Sequence, residues 1–163
     1  VKHHTSGRLK VAPEHTEDHV LNLMRKPSFT MFERLNSRFH QICRRNELKY
    51  QRIPYFISSH PGCTERDMQN LASKVLGKLN FNLEQVQDLT PTPMTLSSVM
   101  FYMGENPYTG EKVYVARSQD DKRKQKSYFF GGKLPEAQPS QRAPKRGAQP
   151  SKRNGGNKKF IKR

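Results

Sequence analysis

The sequence predicts an α/β fold built on a parallel sheet and followed by a disordered basic tail. Three observations predict it. Short apolar strand patterns alternate with helical patterns through the first 130 residues, the order that favours parallel strands with right-handed crossovers. Each main strand runs into a polar, proline-containing loop: Pro13-Glu14-His15, Ser58-Ser59-His60-Pro61 and Thr90-Pro91-Thr92-Pro93. Charge then divides the chain, with +9 from ten Lys/Arg and one acid in residues 131–163 and +7 from 20 Lys/Arg and 13 acids before them.

The elements follow from local chemistry. Arg8-Leu9-Lys10-Val11-Ala12 alternates polar and apolar residues and reads as a strand. Thr16 is the expected N-cap of a first helix, with Glu17 and Asp18 at its positive end and Val20, Leu21, Leu23 and Met24 on its apolar side. Pro27 ends it, because the residue before proline avoids the α region. Thr30-Met31-Phe32-Glu33 reads as a capping box. Phe32, Leu35, Phe39 and Ile42 continue as one helical stripe to about Arg45.

Ile53-Pro54-Tyr55-Phe56-Ile57 is apolar on both faces, as buried parallel strands are. Pro54 belongs near its start, since it cannot donate to the ladder. Thr64-Glu65-Arg66-Asp67 caps the next helix, Met68, Leu71, Ala72, Val75 and Leu76 are its buried side, and Gly77 is its expected stop. Residues 83–90 read as a third strand. Thr95 caps a short helix through Tyr102, Asn106–Gly110 is a turn, and residues 112–116 alternate as a late strand. Asp120–Lys126 is a charged run of the kind found on solvated faces. The tail is rich in Pro, Gly, Gln, Ser and like charge, and has little to bury.

Several classes are excluded. No apolar run approaches the ~18–20 residues of a spanning helix. Two cysteines in 163 residues make no disulfide scaffold and suit a reducing, cytoplasmic compartment. No secretory leader is read, and the opening Val1 suggests a piece of something longer. Ser58, Ser59 and His60 are sequence neighbours, which does not make a catalytic triad. Cys63 reads as a structural thiol. His15, His19 and His60 make no metal spacing with a cysteine, so no metal ligand is assigned. If the strands are parallel, the three proline-containing loops meet on one rim, where such sheets bind ligands.

These loops carry a family pattern. Ser6-Gly7-Arg8-Leu9-Lys10-Val11-Ala12-Pro13-Glu14-His15-Thr16 with Leu23-Met24-Arg25-Lys26-Pro27, then Ile53-Pro54-Tyr55-Phe56-Ile57-Ser58-Ser59-His60-Pro61-Gly62, resemble the YgiQ family of radical SAM proteins. So do Leu83–Asp88, Pro91-Thr92-Pro93-Met94 and Tyr102-Met103-Gly104-Glu105-Asn106-Pro107. The likeness implies a partial parallel β/α barrel of about three βα units, the second half of a radical SAM barrel. Residues 1–103 would be that half, 104–130 the family's C-terminal extension and 131–163 the tail.

The family's cofactors are a [4Fe-4S] cluster and S-adenosylmethionine, which is cleaved reductively to start radical chemistry. By resemblance, Glu14 touches the ribose or methionyl end of S-adenosylmethionine, and Lys26, or its neighbour Arg25, its carboxylate. Ser58 and Ser59 form the turn after the next strand, and Leu89 and Thr90 offer backbone contacts to adenine. Ser59 stands where the family usually carries Gly, and Tyr55 where it often carries an acid. The cluster needs C-x3-C-x2-C, and this chain has only Cys43 and Cys63, twenty positions apart. The cluster loop would therefore sit on a missing N-terminal half, which is the expected partner, and the segment alone would be inactive. The substrate is not read.

Two other readings stand beside these. With the likeness set aside, Glu14 reads first as a cap of the helix beginning near Thr16. The alternative function is a noncatalytic module whose basic tail, residues 131–163, holds nucleic acid weakly, without sequence preference and with a steep salt dependence.

Overall fold

A computed structural model describes residues 1, 3–79, 81, 83 and 86–130. The expected tail and part of the expected third strand lie outside the described residues. The fold is mixed α/β around a three-stranded parallel sheet in the order β1-β2-β3. The strands are β1 (Arg8–Glu14), β2 (Gln51–Ser58) and β3 (Val86–Asp88). The helices are α1 (Asp18–Leu23), α2 (Phe29–Arg45), α3 (Glu65–Ala72), α4 (Leu96–Met103) and α5 (Gln119–Ser127). A π-helical turn, Ser73–Lys78, prolongs α3.

β2 runs through the middle. Its Pro54, Phe56 and Ser58 are buried while the residues between them are half-buried. Phe56 lies opposite Val86, and Pro54 opposite Val11. These residues face Val20, Leu21, Phe29, Phe32, Met68, Leu71 and Val75 from the helices, in one core. The other face carries Lys10 against Ile53 and Ile57 against Gln87. That face is less buried than the sequence suggests: Ile53, Tyr55 and Ile57 are only half-buried.

Local chemistry explains most boundaries. The Thr64 hydroxyl accepts from the Asp67 amide while the Asp67 carboxylate accepts from the Thr64 amide, so α3 has the expected cap, here as a full capping box. Thr95 caps α4 as expected, and α4 ends on Gly104 in the left-handed conformation (φ 71°). Four expectations are corrected. The N-cap of α1 is Glu17, without a side-chain capping bond, and Thr16 instead donates to the Glu17 carboxylate (3.2 Å). α2 starts earlier, at a Ser28 cap, because Asp18 accepts both the Ser28 hydroxyl (3.1 Å) and the Phe29 amide (3.3 Å). Gly77 lies inside the π-helical turn rather than after it.

The fourth correction concerns residues 112–116, which form no strand. Lys112 makes one isolated antiparallel bridge to Glu105, and the Tyr114 carbonyl accepts from the Gly62 amide (2.7 Å). Alternation needs a neighbouring strand to become a ladder, and none lies there among the described residues. The Asn106–Gly110 turn is present, with the Thr109 and Gly110 amides on the Asn106 carbonyl (3.2 and 2.8 Å). The charged run forms α5, mostly exposed as expected, except that Gln125 is buried.

Candidate functional site at the strand ends

Because the three strands are parallel, Glu14, Ser58 and Asp88 end them on the same edge of the sheet. The register slips between Val11 and Glu14, so that Glu14 rather than Pro13 stands opposite Phe56. Proline cannot supply the ladder donor, and a bulge at that point re-aims the next side chain. Glu14 takes a left-handed backbone (φ 66°). Its Oε1 accepts from Lys26 Nζ at 3.0 Å, and the same ammonium reaches the Ala12 carbonyl at 3.2 Å. Glu14 therefore meets Lys26 and does not cap α1. Burial, then the Glu14 charge, push the Tyr55 phenol above its usual range, and Tyr55 donates to the Gln87 side chain on the less-buried face.

Ser58 Oγ donates to Asp88 Oδ1 (2.7 Å), and the Leu89 amide donates to the Ser58 carbonyl (2.9 Å). The Leu89 amide is thus engaged in the sheet, and Thr90 lies exposed beyond it. Ser59 is fully buried and also left-handed (φ 61°), a conformation that costs a non-glycine residue about 1–3 kcal/mol. Gly62 permits the rest of this loop: φ is +84°, and an added Cβ would lie 2.2 Å from Leu23 Cδ1. Two buried side-chain oxygens on this rim lack a hydrogen-bond partner, Glu14 Oε2 and Ser59 Oγ. Buried polar atoms are ordinarily paired, and these two unpaired oxygens stand at adjacent strand ends.

Residues that sequence reasoning missed hold this rim. The Ser59 amide donates to Gln125 Oε1 (2.8 Å), and Gln125 Nε2 donates to the Cys63 carbonyl (3.1 Å). Lys126 pairs with Asp88 at 2.7 Å. The available signal was small: Gln125 is the single uncharged residue between Asp120 and Lys126. Replacing Gln125 by Leu strands two backbone groups, at about 1–3 kcal/mol for each. The expected result is faster amide exchange at Ser59 and Cys63. Unchanged exchange there would show that α5 only rests on the loop.

Behind the rim lies a buried polar layer. The Glu17 amide donates to His15 Nδ1 (3.0 Å), so the proton is on Nε2, which points at Cys63 Sγ (3.4 Å). The thiol thus has an imidazole beside it, and both groups are fully buried. Burial, then the Asp67 charge, push the Cys63 thiol far up, so it is no nucleophile. His60 donates from Nδ1 to the Pro61 carbonyl and accepts the Ser97 hydroxyl at Nε2, both at 2.8 Å. Burial lowers its basicity. Glu17, His19 and Asp67 bring ligand atoms within 4.8 Å of one another. Asp67 there is already held by Thr64.

The chain's relatives can now be set beside this geometry. A family model described as "Domain of unknown function (DUF3362)" matches residues 84–130, which include β3, α4 and α5. A UPF0313 protein of Porphyromonas gingivalis is 56% identical over 134 residues, covering 82% of this chain and 21% of that protein. One from Bacteroides thetaiotaomicron is 55% identical over 130 residues, covering 80% and 21%. Another, from Methanocella arvoryzae, is 46% identical over 122 residues, covering 75% and 20%. No solved structure matches the chain. The chain spans about a fifth of the length of these curated relatives. With identity of this level across four-fifths of its residues, the chain belongs to the UPF0313 family, which is the YgiQ family.

Proposed function

We propose that this chain forms part of the cofactor rim of a radical SAM enzyme, as the second half of a partial β/α barrel. The remainder of the full-length protein would complete that barrel. Three features support the barrel. β1 has β2 on one side and no strand on the other among the described residues. On the face holding Lys10, Ile53, Tyr55 and Ile57, Lys10 is exposed and the other three are only half-buried. An apolar groove beside β1, between Ala12 and the Met31–Leu35 stretch of α2, invites a further packed element.

The single observation that carries the site is the pair of orphaned oxygens, Glu14 Oε2 and Ser59 Oγ. Both sit at strand ends, on left-handed non-glycine residues. That donor set fits S-adenosylmethionine. Glu14 would accept from ribose hydroxyls or the methionyl ammonium, Lys26 would take the carboxylate, and the Ser58–Ser59 turn with Leu89 and Thr90 would border the adenine. Bound S-adenosylmethionine would be cleaved by one electron from the cluster held in the rest of the protein, and that cleavage would begin radical chemistry. This chain's residues bind and orient S-adenosylmethionine, and the bulge fixes where the carboxylate points. The cluster does not fit here: Cys43 and Cys63 are both buried and only two. Its ligands would come from the rest of the protein.

The test is titration of S-adenosylmethionine into the reconstituted full-length protein. Glu14→Ala removes a charged hydrogen-bond partner worth ~1.5–3 kcal/mol, a roughly 10- to 100-fold loss of affinity. Wild-type affinity in that variant would remove Glu14 from the site. The segment alone, given iron and sulfide under reducing conditions, should develop no stable cluster absorbance.

A further inference from the structure

Two successive residues of α5 take hold of two neighbouring strand ends. Gln125 bonds the loop after β2, at the Ser59 amide and the Cys63 carbonyl. Lys126 bonds the end of β3, where its Nζ lies 2.7 Å from Asp88 Oδ2. Successive helical side chains point about 100° apart, so a single turn of α5 reaches both. The Asp88 carboxylate is shared. Its Oδ1 accepts from Ser58 Oγ (2.7 Å), and the Ser58 carbonyl accepts from the Leu89 amide (2.9 Å). A continuous run of polar contacts thus leads from Lys126 through Asp88 and Ser58 to the backbone at Leu89.

β3 needs such a hold. Its described part is three residues long, and among the described residues only β2 lies beside it. α5 is anchored independently of β3. Lys124 pairs with Glu65 of α3 (2.8 Å), Tyr128 donates to the same carboxylate and accepts from Gln69 (2.9 Å), and Phe129 is buried in the core. The Lys126 and Asp88 side chains are only 23% and 30% exposed, and a partly buried ion pair is screened far less than an open one. The Glu14–Lys26 pair stands at the end of β1, with β2 between it and Asp88.

We infer that Lys126 is a positioning residue: acting through Asp88, it sets the Ser58 turn and the Leu89 backbone against the adenine end of S-adenosylmethionine. The role rests on the rim reading for its ligand. It gives the stretch matched by the family model, residues 84–130, a task at the rim. β3 supplies one border of the adenine and α5 holds that border in place.

The test is calorimetric titration of the reconstituted full-length protein with three probes: S-adenosylmethionine, methylthioadenosine, which keeps the adenosine, and methionine, which lacks it. Lys126→Met should weaken the first two roughly tenfold and leave methionine unchanged. Lys126→Arg keeps the ion pair and should bind all three as the wild type does. In an Asp88→Asn background, Lys126→Met should cost nothing further, because the lysine acts through that carboxylate. A further loss in that background overturns the proposal. So does wild-type affinity in Lys126→Met, and so does an equal loss for methionine, which would mark a general loosening of the fold. Glu14→Ala separates the two readings. Weakened S-adenosylmethionine binding there, with wild-type binding in Lys126→Met, defeats the positioning role alone. A wild-type protein that does not bind S-adenosylmethionine defeats rim and positioning role together.

Discussion

Phe56→Ala will open the sheet at a cost of about 3–5 kcal/mol, the usual range for emptying a phenylalanine site in a packed core. Phe56 is completely buried in the middle strand, and it packs with Val20, Leu21 and Phe29 on one side of the sheet and Val86 beside it. Its core cluster also holds residues of α1, α2 and α3, so refilling the void would require several elements to move. A domain's whole stability is about 5–15 kcal/mol, so the loss is a large share of it. Hydrogen exchange of the β2 and β3 amides in the full-length protein measures it directly, because the opening free energy of those strands falls by the same amount. Ser58 follows Phe56 by two residues and sets the hydrogen bond to Asp88. The rim should therefore loosen together with the core. A cost below about 1 kcal/mol would mean that the helices rest on the sheet elsewhere.

Acid should destabilise the same region through His15. Burial lowers the imidazole from 6.5 to about 4; the Asp67 charge opposes this, while His19 and His60 reinforce it. The folded state therefore holds a neutral ring where the unfolded chain would already be protonated. Stability from this group is complete above pH 6.5 and is lost as pH falls toward 4. At 1.36 kcal/mol per pH unit, the loss comes to about 3 kcal/mol. The proton must enter at Nδ1, which breaks the bond from the Glu17 amide, and that couples the titration to the start of α1. His60 shifts in the same direction and adds to the slope. Exchange of the α1 and β2 amides across this pH range tests the effect after correction for intrinsic rates. His15→Gln should flatten most of the dependence. An equally steep dependence in that variant would place the sensitive group elsewhere.

The parts of this molecule legible in the sequence are those whose cause lies within a few residues. Thr64 with Asp67, and Thr95 with Ser98, announce their helices because cap and amide are three positions apart. The parallel order and the three loops at one edge followed from alternating element types. What was not legible depends on distant neighbours. Asp18 moved the start of α2 from ten positions away. Residues 112–116 have the pattern of a strand but no strand beside them. The slip that aims Glu14 arises because Pro13 meets β2 in a particular register, which no local pattern encodes. Glu14, Lys26, Ser58 and Ser59 were singled out by resemblance. Their arrangement, and the two unpaired oxygens among them, needed coordinates.

Gln125 has a consequence of a different sort. It holds two main-chain groups, the Ser59 amide and the Cys63 carbonyl, and its Oε1 also accepts from the Cys63 thiol at 3.9 Å. A saturation screen across positions 59–63 and 125 should therefore come out lopsided. The Ser59 side chain is not read by the glutamine, and that of Cys63 is met only through its thiol. Position 125 itself has almost no acceptable replacement: glutamate lacks the donor, lysine the acceptor, and asparagine the reach.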